Sequence, residues 1–226
     1  MSLPIPSTLQ RIGAAAGCGS AVILLVNAAK RAEVIPTSAF TQLVAPLAQI
    51  LALALVTALY FAFGRRAGTF GLVAYLLNAF ALAALVGVEF VINLVFADLP
   101  DDTVEALRAG TLGVALTIAS IAFLLGTLAF VTAMLRSREV PTAPLVLYAV
   151  GAVPISLRAF VPEAALVLGI LTMAIGVGWL SMWLFNRSSR ITTWANHTVT
   201  QTPVSATTDA SSSTYPDLTD PHQSLV

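Results

Sequence analysis

Residues Gly71 to Ala97 read GLVAYLLNAFALAALVGVEFVINLVFA and hold a single ionisable carboxylate, Glu89. At ~1.5 Å of rise per residue, a helix over this stretch exceeds the ~30 Å hydrocarbon core of a bilayer. A carboxylate inside such a span is costly unless it is protonated, paired or turned toward a wet cavity. Successive helical side chains step by ~100°, which places Asn78, Tyr75 and Asn93 within about 40° of Glu89. Val73, Leu76, Phe80, Val91 and Leu94 fall on the opposite face, which suits lipid. The polar stripe is therefore expected to look into a bundle of other helices.

The composition points the same way. The 226 residues are 58% hydrophobic and 10% charged, with a mean hydropathy of +0.89; a soluble domain carries about 25% charged residues. Long apolar runs recur along the chain, so the expected fold is all-α, a polytopic six-transmembrane-helix bundle. The formal net charge is zero, which gives no support to nucleic-acid binding. Cys18 is the lone cysteine, and both histidines, His197 and His222, lie in the polar C-terminal part. Haem, iron–sulfur and zinc sites thus lack their usual ligands within the membrane, and no cofactor or metal is expected. Lys30 is the sole lysine and ends an apolar run, which argues against a mid-membrane Schiff base.

In chain order, residues 1–11 read as a short cytoplasmic lead. The spans are expected at about 12–29, 44–64, 71–97, 110–135, 143–160 and 162–185. The first also has the shape of a signal peptide, but Lys30, Arg31 and the following spans favour its retention. Gly13 and Gly17 form a small-xxx-small pair that admits a close neighbour. Residues between Lys30 and Leu43 read as a loop. Asp98 to Arg108 is the most acidic segment and reads as a short surface helix, with Asp102 and Glu105 at capping-box spacing. Pro154 is expected to kink the fifth span, and Trp179 and Trp183 to mark an interfacial belt in the sixth. Residues 186–226, rich in Ser and Thr, read as a disordered cytoplasmic tail.

Arg and Lys in the connections set the orientation. With six spans, Arg11, Arg65, Arg66, Arg136, Arg138, Arg187 and Arg190 share one side, against Lys30, Arg31, Arg108 and Arg158 on the other. Both termini are therefore expected in the cytoplasm, in a multi-pass protein of the cell membrane. Glu89, Asn93, Arg158 and Asn27 then occupy the outer half of the bilayer. Together with Asn78 they form the candidate ligand-binding set, with Glu89 as charge or proton carrier and Arg158 as its counter-ion. Glu89 lies ~13 Å and Arg158 ~7 Å below the outer end of their helices, a ~6 Å mismatch that weakens direct pairing.

No HExxH, GxSxG or Walker loop occurs, and there is no pair of intramembrane aspartates. No catalytic residue is therefore nominated and the chain reads as a non-enzyme. The opening Arg11-Ile12-Gly13, Gly71, Phe123 to Gly126, Arg136-Ser137-Arg138-Glu139-Val140-Pro141 and Gly178-Trp179-Leu180 carry a resemblance over residues 11–185. They resemble a family of uncharacterised bacterial six-helix integral membrane proteins, which implies the same fold and no particular activity. Where that family carries an Arg and a Glu early in the third helix, this chain has Tyr75 to Asn78, so no site carries over. Two functions are open at this point. One is a non-catalytic accessory, scaffolding or sensing role. The alternative is a small-molecule or ion-binding permease-like protein using the Glu89 crevice. The lipid bilayer is the expected partner in either case, joined by a second copy or another membrane protein.

Overall fold

The computed structural model describes the backbone of residues 7–200 and the side chains of residues 7–189; all regular elements among them are helical. The helices are α1 (Ser7–Arg31), α2 (Ala39–Val44), α3 (Leu47–Ala62), α4 (Gly68–Phe90), α5 (Asp101–Ala109), α6 (Thr111–Ser137), α7 (Thr142–Ser156) and α8 (Glu163–Thr200). Setting aside short α2 and α5, each long helix packs on the next. The sequence of contacts is α1 on α3, α3 on α4, α4 on α6, α6 on α7, α7 on α8, and α8 back on α1. The bundle is a closed ring in chain order. Apolar side chains pointing inward form one core, including Leu55, Phe123, Phe130, Leu145 and Leu184.

Five stretches are long and apolar enough to cross a membrane: Ser7–Arg31, Ala39–Ala62, Gly64–Asp98, Thr111–Ser137 and Glu163–Ser189. The expected fifth span is shorter than the sequence suggested. α7 has 15 residues, about 22 Å. It ends at Ser156 rather than Phe160, so Arg158 stands in the turn that follows. Pro154 leaves the Val150 carbonyl without its helical donor, and Leu157 N closes the helix on Val153 O at 3.0 Å. The proline thus stands two residues before the helix end.

Other boundaries shift for local reasons. The segment read as a loop holds α2, opened by a capping box in which Ser38 Oγ accepts from Thr41 N and Ser38 N donates to Thr41 Oγ1. Pro46 then separates α2 from α3, so the second apolar stretch is two helices rather than one. The acidic helix starts at Asp101 behind Pro100. That start places Asp102 inside the first turn, where its Oδ1 accepts from Thr103 N at 2.8 Å, and the expected Asp102–Glu105 box does not form. α4 begins at Gly68, whose φ of +61° is a left-handed value that favours glycine. At the other end of the chain α8 continues to Thr200, so residues 186–200 are helical rather than disordered. Likewise residues 7–11 belong to α1. The rest of the expected lead and tail, residues 1–6 and 201–226, lies outside the described residues.

Along α4 the inward and outward faces fall as the periodicity predicts, whereas Val91 and Leu94, in the wider turn beyond it, are half-buried rather than exposed. Val73, Leu76 and Phe80 are exposed, whereas Ala74, Asn78, Ala81, Leu82 and Leu85 are buried. Tyr75 stacks on Tyr60, with ring centroids 4.3 Å apart. Of the two tryptophans expected to mark a belt, Trp179 is exposed, while Trp183 packs against Phe63 beneath the Arg187 guanidinium.

Ion pairs close both ends of the ring. At one end Glu139, between α6 and α7, accepts from Arg187 Nη2 of α8 at 2.5 Å and from Arg66 of the α3–α4 connection. The hydrogen-bonded Arg187 guanidinium, helped by Arg66, holds the Glu139 carboxyl below the usual carboxylate range. At the opposite end Arg31 Nη1 of α1 meets Glu163 Oε1 of α8 at 2.8 Å. Small residues set the helix spacing between these ends. A Cβ at Gly13 would run into Ala58 of α3, and one at Gly17 into Ser181 of α8. A Cβ at Gly151 would sit 2.6 Å from Met173 N and 2.7 Å from Gly169 O, both backbone atoms of α8. Gly151→Ala is therefore expected to destabilise the α7–α8 seam by about 1–3 kcal/mol, the usual cost of overpacking. Thermal unfolding in detergent micelles would show this as a lowered Tm; an unchanged Tm would mean that the seam gives way at no cost.

Candidate functional site

Glu89 stands one residue before the end of α4, at the Arg31–Glu163 end of the ring. The helix then widens into a single π-helical turn, Val91–Val95, followed by a 3-10 turn, Phe96–Asp98. Asn93 lies in that wide turn. Its Nδ2 donates to the Glu89 carbonyl at 3.0 Å, the acceptor that a regular α-helix reserves for the Asn93 backbone N–H. The same Nδ2 donates to Glu89 Oε2 at 2.9 Å. One side chain therefore marks the change of helical register and holds the carboxylate. Single π-turns of this kind recur at functional sites.

The other carboxylate oxygen, Glu89 Oε1, receives Arg158 Nη2 at 3.5 Å. Both side chains are largely buried, 14% exposed for Glu89 and 17% for Arg158. The expected counter-ion relation is thus present despite the depth mismatch read from the sequence. Arg158 is not locked to a helix at that depth; it reaches in from the turn after α7. Facing Asn93 from α1, Lys30 Nζ donates to Asn93 Oδ1 at 2.8 Å. The polar groups form one relay: Lys30 to Asn93, Asn93 to Glu89, and Arg158 to Glu89.

Behind this relay lies a cavity of about 60 Å³, room for a few water molecules. Its rim carries Asn27, Lys30, Arg31, Glu89, Asn93 and Arg158. Its walls are mainly apolar, among them Leu24, Leu82, Leu85, Phe123, Ile170 and Met173, with Ser20 and Tyr148 as polar members. Ser20 is satisfied by Ala48 O at 2.8 Å. The Tyr148 hydroxyl is buried beside Asn78 and Thr127. A more open cavity of about 350 Å³ lies outside the rim and shares Lys30, Arg31 and Asn93 with it. Cations thus line the mouth of the crevice, while its depth is apolar.

Of the five residues nominated from sequence, Glu89, Asn93, Arg158 and Asn27 come together. Asn78 does not. It sits eleven residues before Glu89, about 16 Å along the helix, fully buried. There it accepts from Thr127 Oγ1 at 3.3 Å and lies beside the hydroxyl of Tyr148, a residue of the crevice wall. The shared helical face was read correctly, but the distance along the axis separates two polar clusters. Lys30 and Arg31 were missed as site residues. Their signal was present in the charge count, where they were the cations close to a helix on the less positive side. Among the described residues no group of three or more His, Cys, Asp or Glu side chains is placed to hold a metal ion.

Compared with known proteins, the chain matches no protein-family model, no curated protein and no solved structure.

Removing either partner of the buried pair leaves the other charge without its counter-ion. Glu89→Gln and Arg158→Gln are each expected to cost about 1–3 kcal/mol. The double variant is expected to recover most of that loss. Unfolding of all four proteins in one detergent checks this as a double-mutant cycle; strictly additive losses would show that the two groups do not interact.

Proposed function

We propose that this multi-pass membrane protein is a non-catalytic, permease-like binding protein whose crevice takes a small aliphatic carboxylate. The observation that carries this reading is Lys30. Its ammonium at the cavity rim is satisfied by the neutral Asn93 amide, while Arg31 and Arg158 each face a carboxylate. Glu33 stands in the outer cavity as well, so the charges at the mouth balance, but Lys30 is the one cation of the three without an ion pair among the described residues. A ligand carboxylate placed there meets Lys30 and the Arg158 guanidinium, and its hydrocarbon end enters the apolar depth. Glu89 serves as the resident anion that keeps Arg158 and Asn93 in place while the crevice is empty.

The same proposal takes α7 as a sixth crossing. It joins the Glu139 end of the ring to the Arg158 end, and bilayer thinning or tilt accommodates short spans. The crevice then opens outward in a bacterial cell membrane with both termini in the cytoplasm, in line with the arginine distribution and with the resemblance to bacterial six-helix proteins. A second reading, an accessory or scaffolding role, is favoured by α8. At 38 residues it is about 57 Å long, well beyond a ~30 Å core, and offers a partner a helix past the Arg187 collar.

Propionate is the probe for the first reading, added to purified protein in micelles and followed by calorimetry. Lys30→Gln is expected to weaken propionate binding about tenfold, the worth of one charged hydrogen bond. Unchanged affinity in that variant would remove the crevice from the reading and leave the accessory role. Orientation is tested in intact cells on a Cys18→Ser background. Thr103→Cys should react with a membrane-impermeant maleimide and Arg65→Cys should not; the reverse pattern would invert the topology.

A further inference from the structure

A second cavity, about 420 Å³, opens on the flank of the ring between α4, α6 and the α7–α8 turn. It exists because α7 stops short. A 15-residue helix covers about 22 Å, so the wall between α6 and α8 is missing over its last ~8 Å of a ~30 Å core. Arg31, Arg108 and Arg158 line the notch, against one carboxylate, Glu163. Arg31 is paired with Glu163 and Arg158 with Glu89. Arg108, an exposed residue of α5, has its guanidinium 5.3 Å from the Phe96 ring centroid and is free of carboxylate partners among the described residues. Apolar side chains share the rest of the lining with Thr117 and Ser120, and Phe160 and Ile121 stand 84% and 51% exposed.

One more observation points to an occupant. Ser156, the last residue of α7, lines the notch at 9% exposure, and its Oγ is buried with no hydrogen-bond partner. A buried hydroxyl left unpaired is costly, and rotation of the Ser156 side chain would bring it to a phosphate or glycerol oxygen in the notch. We infer that the notch binds an anionic phospholipid from the surrounding bilayer, headgroup phosphate among Arg108, Arg158 and Ser156, acyl chains along the exposed apolar edge. The lipid completes the ring wall where α7 ends. A soluble anion fits less well, because it would leave the exposed apolar edge at Ile121 and Phe160 uncovered. The notch shares Arg31 and Arg158 with the crevice, but Arg108 and Ser156 line the notch alone, so Arg108 tests this inference apart from the carboxylate reading.

The test is native mass spectrometry of the full chain released from phosphatidylcholine nanodiscs doped with phosphatidylglycerol. Preferential retention of phosphatidylglycerol over phosphatidylcholine is expected. Arg108→Gln should weaken that retention about fivefold, the worth of one cation near anionic lipid. Ser156→Phe, which fills the notch, should abolish it. Arg108 is exposed on a surface helix, so its replacement tests the site even where Ser156→Phe fails to fold. Equal retention of the two lipids, or retention unchanged in Arg108→Gln, would overturn the proposal. So would displacement of phosphatidylglycerol by inorganic phosphate, which would make the notch a site for a soluble anion. Unchanged propionate affinity in Arg108→Gln would keep the two sites separate.

Discussion

Glu89 is a carboxylate carried inside an apolar helix, and one end of the molecule is arranged around its cost. Burial of an ionised carboxyl without partners is prohibitive in hydrocarbon. The chain meets that constraint from three directions. Asn93 supplies an amide from the next turn, Arg158 a guanidinium from the α7–α8 turn, and Lys30 holds Asn93 in place from α1. The relay therefore ties α1, the end of α4 and the end of α7 to one point. Remote segments of the chain meet there because no nearer group could neutralise the charge.

Closure of the ring follows from the same solvent. Lipid offers no hydrophobic incentive for helices to associate, so close packing of small residues and polar contacts has to supply it. Gly13 and Gly17 on α1 and Gly151 on α7 let backbones approach where any side chain would intrude. Glu139 joins Arg66 and Arg187 at one end, and Arg31 joins Glu163 at the other. Exposed ion pairs of this sort contribute little singly; their role here is to fix which helix ends meet. The ring that results has an interior, and the crevice is the part of that interior the side chains do not fill.

The short α7 gives the ring its asymmetry. Where it stops, Arg158 is freed from helical geometry and can turn inward to Glu89, and the outer wall is left open beside Ser156 and Arg108. One local feature, the early end of α7, thus has two consequences on opposite sides of the wall. An inward guanidinium forms the crevice mouth, and the notch opens beside it, with Arg158 lining both.

Periodicity and composition by themselves determined that the chain is helical and membrane-embedded, and which face of α4 turns inward. Those properties depend on the spacing of apolar side chains along a single helix, which is a local quantity. Glu89 stood out for the same reason, as one charge in a long apolar run. Only the tertiary structure decided its partners. Helical angle placed Asn78 and Glu89 on one face, but about 16 Å of axial distance and the contact with Thr127 put them in separate clusters. Depth counted along separate helices set Glu89 and Arg158 apart, until α7 ended early and its turn reached in. Lys30 looked like a loop cation because its role depends on Asn93, which stands sixty-three residues away in the chain. Pairings between distant segments are fixed by how helices end and meet, and no window along the chain contains that information.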